Sequence, residues 1–192
     1  MKKPDYWQWH NYLPRKNIKK INELIESNPV DAKDRPADSK KTSQVKFIEY
    51  KTIKPYLMNC IKDIYATNEK NFGFSLNYFY DHLVLNYNIY SKNSEYNWHV
   101  DHDPEEYQDL KLTVLINLSE KKYKGGKFLY RLGEKPHHVK ALDEPGSMIM
   151  FRSHYLHKVT PVTEGERRTL SIFLMGPRLQ WALVVMIIFD IY

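Results

Sequence analysis

The apolar positions change period once along the chain. Over residues 16–27, Ile18, Ile21, Leu24 and Ile25 recur at helical spacing with Lys and Glu between them. That pattern predicts an amphipathic helix. Residues 51–66 repeat it, with Tyr56, Leu57, Cys60, Ile61 and Ile64 along one side. Between the two, residues 28–44 hold Pro29, Pro36 and many Asp, Lys and Ser, the composition of a surface loop. After Gly73 the runs become short and rich in β-branched and aromatic residues: 74–80, 83–90, 112–118, 127–130, 147–151 and 169–174. Gly, Pro, Asn and Asp separate them, as between strands. Helices followed by many short strands predict an α+β, mainly β domain, built as a sandwich or closed β-structure.

Composition narrows the class. The 192 residues suit one domain, or one domain with a short appendage. At 42% hydrophobic and 27% charged, the chain is close to a globular average, which excludes disorder as its main state. The lone Cys60 excludes an internal disulfide and a Cys-rich zinc site, and fits a reducing, cytoplasmic setting. The net charge of +6 resides in residues 1–60, which hold 13 basic and 7 acidic side chains; the rest holds 16 of each. Nucleic acid would attract such a segment. A solvated Lys-rich helix and loop explains it as well, and is favoured because no aromatic-basic reader module accompanies the charge. The first residues lack the apolar core of an export signal. Near the other end, Trp181 to Phe189 is apolar until Asp190 interrupts it. A spanning helix needs about 20 such residues, so no transmembrane span is expected. A buried strand, an interfacial anchor and a partner-binding tail remain open.

The chemistry starts at His99-Val100-Asp101. In a strand, residues i and i+2 share a face, so imidazole and carboxylate converge as two ligands of a divalent metal. A surface His–Asp hydrogen bond is the plain alternative. A third ligand would come from His154 or His157, reached through Pro145-Gly146 and an apolar run. Two His and one carboxylate leave adjacent coordination positions open, as in non-haem Fe(II) oxygenases. A zinc hydrolase could use a similar set. A fixed cation able to hold a second carboxylate separates the two. Arg167 lies ten residues after His157, past Pro161 and Gly165, and its planar fork suits a carboxylate. Thr169 shares its face. Ten residues after His154 stands Glu164, so His157 is the better ligand. His102 points off the His99–Asp101 face, His137 and His138 are expected in a solvated hairpin loop, and His10 and His82 have no partner pattern.

Five segments in order carry a resemblance: Tyr90 with Tyr96-Asn97-Trp98-His99-Val100-Asp101; Leu112-Thr113-Val114-Leu115-Ile116-Asn117-Leu118; Gly125-Gly126-Lys127-Phe128; Pro145-Gly146 through Phe151-Arg152-Ser153; and His157-Lys158-Val159-Thr160-Pro161-Val162 with Gly165-Glu166-Arg167. Over roughly residues 75–177 the chain resembles the 2-oxoglutarate- and Fe(II)-dependent dioxygenases, in their prolyl 4-hydroxylase-like branch. The resemblance implies a double-stranded β-helix (a cupin-like jelly roll) over 75–177. Residues 1–74 would be a helical region packed on its outside, and 178–192 an apolar tail. It implies Fe(II) on His99, Asp101 and His157. It implies 2-oxoglutarate chelating the iron, with its distal carboxylate on Arg167, helped by Thr169. Tyr90 and Asn117 would be further co-substrate contacts, although the branch often has Tyr at the latter position. Phe128, Thr113 and Leu115 would line the pocket.

The implied reaction consumes O2 and 2-oxoglutarate, with ascorbate as an accompanying reductant. It hydroxylates an unactivated C–H bond of a peptide, a protein or a small molecule and releases succinate and CO2. Three other readings compete: a metal-dependent hydrolase, a binding module without turnover, and an oxidative demethylase of nucleic acid bases. The last lacks the second Arg of that branch's Arg-x5-Arg pattern, since Phe173 or Leu174 stands there. Substrate choice is expected in the loops 91–95, 103–109 and 28–44.

Overall fold

The structure, a computed structural model, describes residues 4–27, 40–101 and 109–178. His102, most of the expected loops 28–44 and 103–109, and nearly all of the apolar tail lie outside the described residues. The elements run β1 (Tyr6–Trp9), α1 (Arg15–Ser27), β2 (Gln44–Glu49), α2 (Tyr50–Thr67), β3 (Val84–Tyr90), β4 (Tyr96–His99) and β5 (Leu110–Asn117). Then come β6 (Lys124–Gly125), β7 (Phe128–Leu132), β8 (Lys135–His138), β9 (Met148–Arg152), β10 (His157–Val159), β11 (Val162–Glu164) and β12 (Arg167–Met175). No helix among the described residues is long and apolar enough to cross a membrane.

A six-stranded sheet has the order β1-β9-β5-β12-β3-β2, and a four-stranded sheet the order β4-β10-β7-β8. The short pair β6 and β11 stands beside them. All pairings are antiparallel. The central strands β5 and β12 read as near-continuous apolar runs because the large sheet is covered on both faces. On one face, Leu112, Val114, Ile116, Leu170, Ile172 and Leu174 pack with the buried Ile18, Ile21 and Ile25 of α1 and Ile53, Leu57 and Ile64 of α2. On the other, Leu115, Ile149 and Phe151 meet Phe128, Tyr130 and Val159 of the small sheet. Strand alternation thus divides one sequence run between two cores, and the polar inward positions are left facing the space between the sheets.

Two expectations change. Residues 74–80 form no strand, although their composition is strand-like. Their backbone groups are used elsewhere. The Asn68 side chain donates to Phe74 O (2.8 Å) and accepts from Phe74 N (3.2 Å), and Asn77 N donates to Met175 O (2.8 Å). His137 and His138 sit on β8, paired with Tyr130 and Leu129, and the turn lies before them at Gly133 (φ 71°). Pro136 hides this strand in the sequence; it is tolerated because β8 is a sheet edge. Edge strand β1 was not anticipated either: Tyr6, Trp7, Gln8 and Trp9 pair with β9.

Candidate active site

Three side chains from two paired strands converge on one point between the sheets. His99 ends β4 and His157 begins β10, and their Cα atoms are direct partners in the ladder. Asp101 follows β4 and is fixed by its amide, which donates to Ser153 O (3.0 Å). The ligand atoms of His99, Asp101 and His157 all lie within 4.8 Å of one another. His99 Nε2 is 3.5 Å from Asp101 Oδ1, and His157 Nε2 is 3.5 Å from Asp101 Oδ2. The other ring nitrogens meet backbone carbonyls: His99 Nδ1 with Asn97 O at 2.7 Å, His157 Nδ1 with Tyr155 O at 2.9 Å. A carbonyl only accepts, so each Nδ1 carries the proton and each Nε2 lone pair faces Asp101.

Burial favours the uncharged ring and takes the His157 pKa down to about 4, against the attraction of Asp101. Burial pushes the Asp101 carboxyl up, but His157, His99 and the Thr113 hydroxyl outweigh it and hold it below the ordinary carboxylate value. The cluster therefore offers a neutral His157 imidazole and an ionised carboxylate at neutral pH. That donor set fits a divalent transition-metal ion.

Around it sits a second layer. Thr113 Oγ1 donates to Asp101 Oδ2 (2.7 Å) and lies 3.0 Å from Ser153 Oγ. Both hydroxyl residues are fully buried. Thr113, expected to line the pocket, instead orients the carboxylate. The Tyr96 ring stacks on His99 with centroids 3.4 Å apart. Phe128 and Phe151 flank His157 at 5.5 and 4.8 Å.

Arg167 opens β12 and is only 1% exposed. Among the described residues, its Nε and Nη2 have no hydrogen-bond partner. A buried guanidinium with unpaired donors is costly and is the cradle an anion would fill. A cavity of about 510 Å³ joins Arg167 to His99, Asp101 and His157, and Tyr90, Thr169, Leu115 and Phe128 also line it. The Tyr90 ring lies 5.3 Å from the guanidinium carbon. Arg168 points the other way, paired with Glu26 and Glu166 at 2.6 Å each.

The Gly-Gly turn explains itself here. A Cβ on Gly126 (φ +57°) would sit 2.9 Å from Arg167 Cδ, and one on Gly125 (φ +74°) would sit 2.2 Å from Pro161 O. One glycine lets the backbones touch and the next leaves room for the arginine stem.

Not every expected residue joins the site. Asn117 does not line the cavity. Its Nδ2 donates to Leu142 O (2.9 Å) and Tyr123 Oη (3.2 Å), and its Oδ1 accepts from Ser119 N (2.9 Å). Its amide is committed to bracing the end of β5, away from the space where a co-substrate would lie. His154 is exposed, its ring against Tyr155, outside the cluster. Conversely, Lys41, Asn86, Asn88, Tyr96 and Ser171 line the cavity unannounced. For Asn86 and Asn88 a signal existed: with Tyr90 they occupy alternate positions of an otherwise apolar strand. Lys41, outside any periodic run, gave none.

Residues 85–175 match the family model of the 2OG-Fe(II) oxygenase superfamily. A PKHD-type hydroxylase of Alteromonas mediterranea is 37% identical over 89 residues, covering 42% of this chain and 38% of that protein. The chain thus matches well under half the length of that relative. Among solved structures, a prolyl-4-hydroxylase of Pseudomonas putida superposes with a TM-score of 0.70 at 19% identity, covering 90% of this chain and 93% of that one. A 2OG-Fe(II) oxygenase-family oxidoreductase of Burkholderia pseudomallei gives 0.67 at 18%, covering 91% and 85%. The expected jelly-roll fold, mainly β with outer helices, is the fold of this chain.

Proposed function

We propose that this chain, whose residues 85–175 match the family model of the 2OG-Fe(II) oxygenase superfamily, is a 2-oxoglutarate-dependent dioxygenase that hydroxylates an unactivated C–H bond, with His99, Asp101 and His157 as its Fe(II) ligands. One observation carries the reading: a single cavity links that cluster to a buried arginine with unpaired donors. Bound Fe(II), with 2-oxoglutarate and dioxygen, supplies the oxidising chemistry: R–H, O2 and 2-oxoglutarate become R–OH, succinate and CO2.

The protein's own work is placement. The Nδ1–carbonyl bonds fix both imidazoles in the ligating tautomer. Thr113 and Ser153 hold the carboxylate in register. Arg167 takes the distal carboxylate of 2-oxoglutarate in its fork, with the Thr169 hydroxyl on the same strand face and Tyr90 across the ladder. Leu115, Phe128 and Val159 give the cavity an apolar wall that limits water around the reacting centre. Ascorbate serves as the reductant that keeps the iron ferrous, and the buried single thiol of Cys60 suits a reducing cytoplasm.

Arg167 favours this reading over a zinc hydrolase, which has no use for a second carboxylate grip. Phe173 in the cavity wall, where a nucleic acid demethylase would carry its second Arg, favours a small molecule or a peptidyl residue over a nucleobase. The test is succinate formation from 2-oxoglutarate by the Fe(II)-loaded protein. It is expected in the native chain and absent in Asp101→Ala and His157→Ala. Turnover retained in both variants rejects the ligand assignment.

A further inference from the structure

The inward face of β12 carries a hydroxyl that the co-substrate does not account for. Given the oxygenase reading above, on which this inference rests, we propose that Ser171 and Asn86 form a substrate subsite for a primary carboxamide, so that the molecule hydroxylated is an amide of the asparagine or glutamine side-chain type.

Ser171 is 6% exposed and lines the cavity. Its Oγ accepts from Asn88 Nδ2 (3.0 Å). The direction of that amide is fixed, because Lys41 Nζ donates to Asn88 Oδ1 (2.8 Å) and Nδ2 also reaches Asn86 O (3.3 Å). The serine oxygen thus receives a proton from Asn88, and its own proton has no acceptor among the described residues. A buried hydroxyl with an unused proton marks where an acceptor atom belongs. Asn86 is the direct ladder partner of Ser171, on the same face and about 5 Å away. It lines the same cavity, half-buried, and its carboxamide makes no hydrogen bond among the described residues.

Place and chemistry select the ligand. Of the two carboxylates of 2-oxoglutarate, one goes to the metal and one to Arg167. Ser171 lies four residues beyond Arg167 on β12, about 13 Å along the strand. Thr113 is the ladder partner of Phe173 and holds the metal ligand Asp101. Ser171 is thus one strand and two residues from Thr113, about 8 Å. A group fixed at Ser171 leaves its next one or two carbons beside the metal. Phe173, Met175, Leu110 and Val100 supply an apolar wall for them. Both polar residues are neutral: Ser171 offers a donor, and Asn86 offers a donor and an acceptor. A primary carboxamide presents its C=O and an N–H on one edge and satisfies both residues. A carboxylate leaves the Asn86 carbonyl without a donor, and a trans peptide group turns its N–H away from its C=O.

The test uses the full chain loaded with Mn(II) and saturating 2-oxoglutarate, and reads paramagnetic relaxation of the methyl protons of isovaleramide, N,N-dimethylisovaleramide and isovalerate over a concentration series. Isovaleramide is expected to bind roughly fivefold or more tightly than either analogue, since a site built to pair an N–H rejects a ligand without it. Ser171→Ala removes one neutral hydrogen bond and should weaken isovaleramide about two- to tenfold. Asn86→Leu removes both amide contacts and should also erase the preference over the dimethyl amide. The 2-oxoglutarate dissociation constant should change less than threefold in either variant, and melting curves confirm that each is folded. Equal binding of the three probes, no relaxation of any of them, or native-like isovaleramide binding in both variants overturns the proposal. So does a loss of 2-oxoglutarate affinity in Ser171→Ala as large as in Arg167→Met, which assigns the hydroxyl to the co-substrate. If the native chain takes up neither Mn(II) nor 2-oxoglutarate, the oxygenase reading itself fails and the inference falls with it.

Discussion

Replacing Arg167 by Met should move stability and binding in opposite directions. The guanidinium is 1% exposed and two of its nitrogens are unpaired among the described residues. Leaving a buried donor unsatisfied costs about 1–3 kcal/mol, and an unbranched apolar chain of similar length removes that cost. The ligand-free variant should therefore melt no lower than the native protein, and higher by about 2–4 °C for each kcal/mol regained. Binding should suffer. Truncating one partner of a buried charge pair costs about 2–5 kcal/mol, or roughly 30- to 4,000-fold in the dissociation constant of 2-oxoglutarate. Melting curves of the Mn(II)-loaded proteins over a 2-oxoglutarate titration read both quantities. The native curve should rise with ligand and the variant curve should stay flat. A variant that keeps the ligand-dependent rise at the same concentrations, or melts far below the native protein without ligand, refutes the reasoning.

Other perturbations test neighbouring parts. Thr113→Val removes the hydroxyl from Asp101 and should weaken metal affinity about 10- to 100-fold, read by competition with a metal-sensitive dye; unchanged affinity means that the hydroxyl orients nothing. Gly126→Ala should lower 2-oxoglutarate affinity while sparing metal binding, because the new methyl meets the Arg167 stem; equal loss of both would indicate general unfolding instead. The His157 pKa is depressed to about 4, so the unfolded chain binds a proton that the folded ring refuses. The stability this brings is full above about 6.5 and is lost as pH falls to about 4. Asp101, with a lowered carboxyl, adds a loss only below its ordinary value near 3.8. Metal-free melting temperatures should fall across pH 6.5 to 4 in the native chain and less steeply in His157→Gln; parallel slopes would count against it. Cys60, buried with its thiol pushed up to about 12, should stay unmodified by aromatic disulfides until the protein is denatured.

Long periodic segments were legible in the sequence. Helices α1 and α2 show their apolar stripes, and β5, β9 and β12 show as apolar runs because the large sheet is covered on both faces. Strands β4, β10 and β11 are too short, at three or four residues, to establish a period. The 74–80 segment misled because composition reports side chains, while its backbone bonds go to Asn68 and Met175. At the site, spacing and the order of motifs pointed to His99, Asp101, His157 and Arg167. Arg167 and its neighbour Arg168 on β12 face opposite ways, as strand alternation requires. The turn of Thr113 toward Asp101 and the bracing role of Asn117 depend on contacts between distant segments, which no local pattern encodes. Lys41 reaches the cavity by the same route, through a bridge to Tyr96.

The central claim is that one cavity holds a ferrous ion on His99, Asp101 and His157 and a diacid between that ion and Arg167. The most direct measurement is an anaerobic titration of the protein with Fe(II) and 2-oxoglutarate, followed by visible absorption. A weak charge-transfer band should appear only when both are present, at one equivalent of each, and should vanish in His157→Ala. A band absent from the native protein, or present undiminished in that variant, would contradict the account.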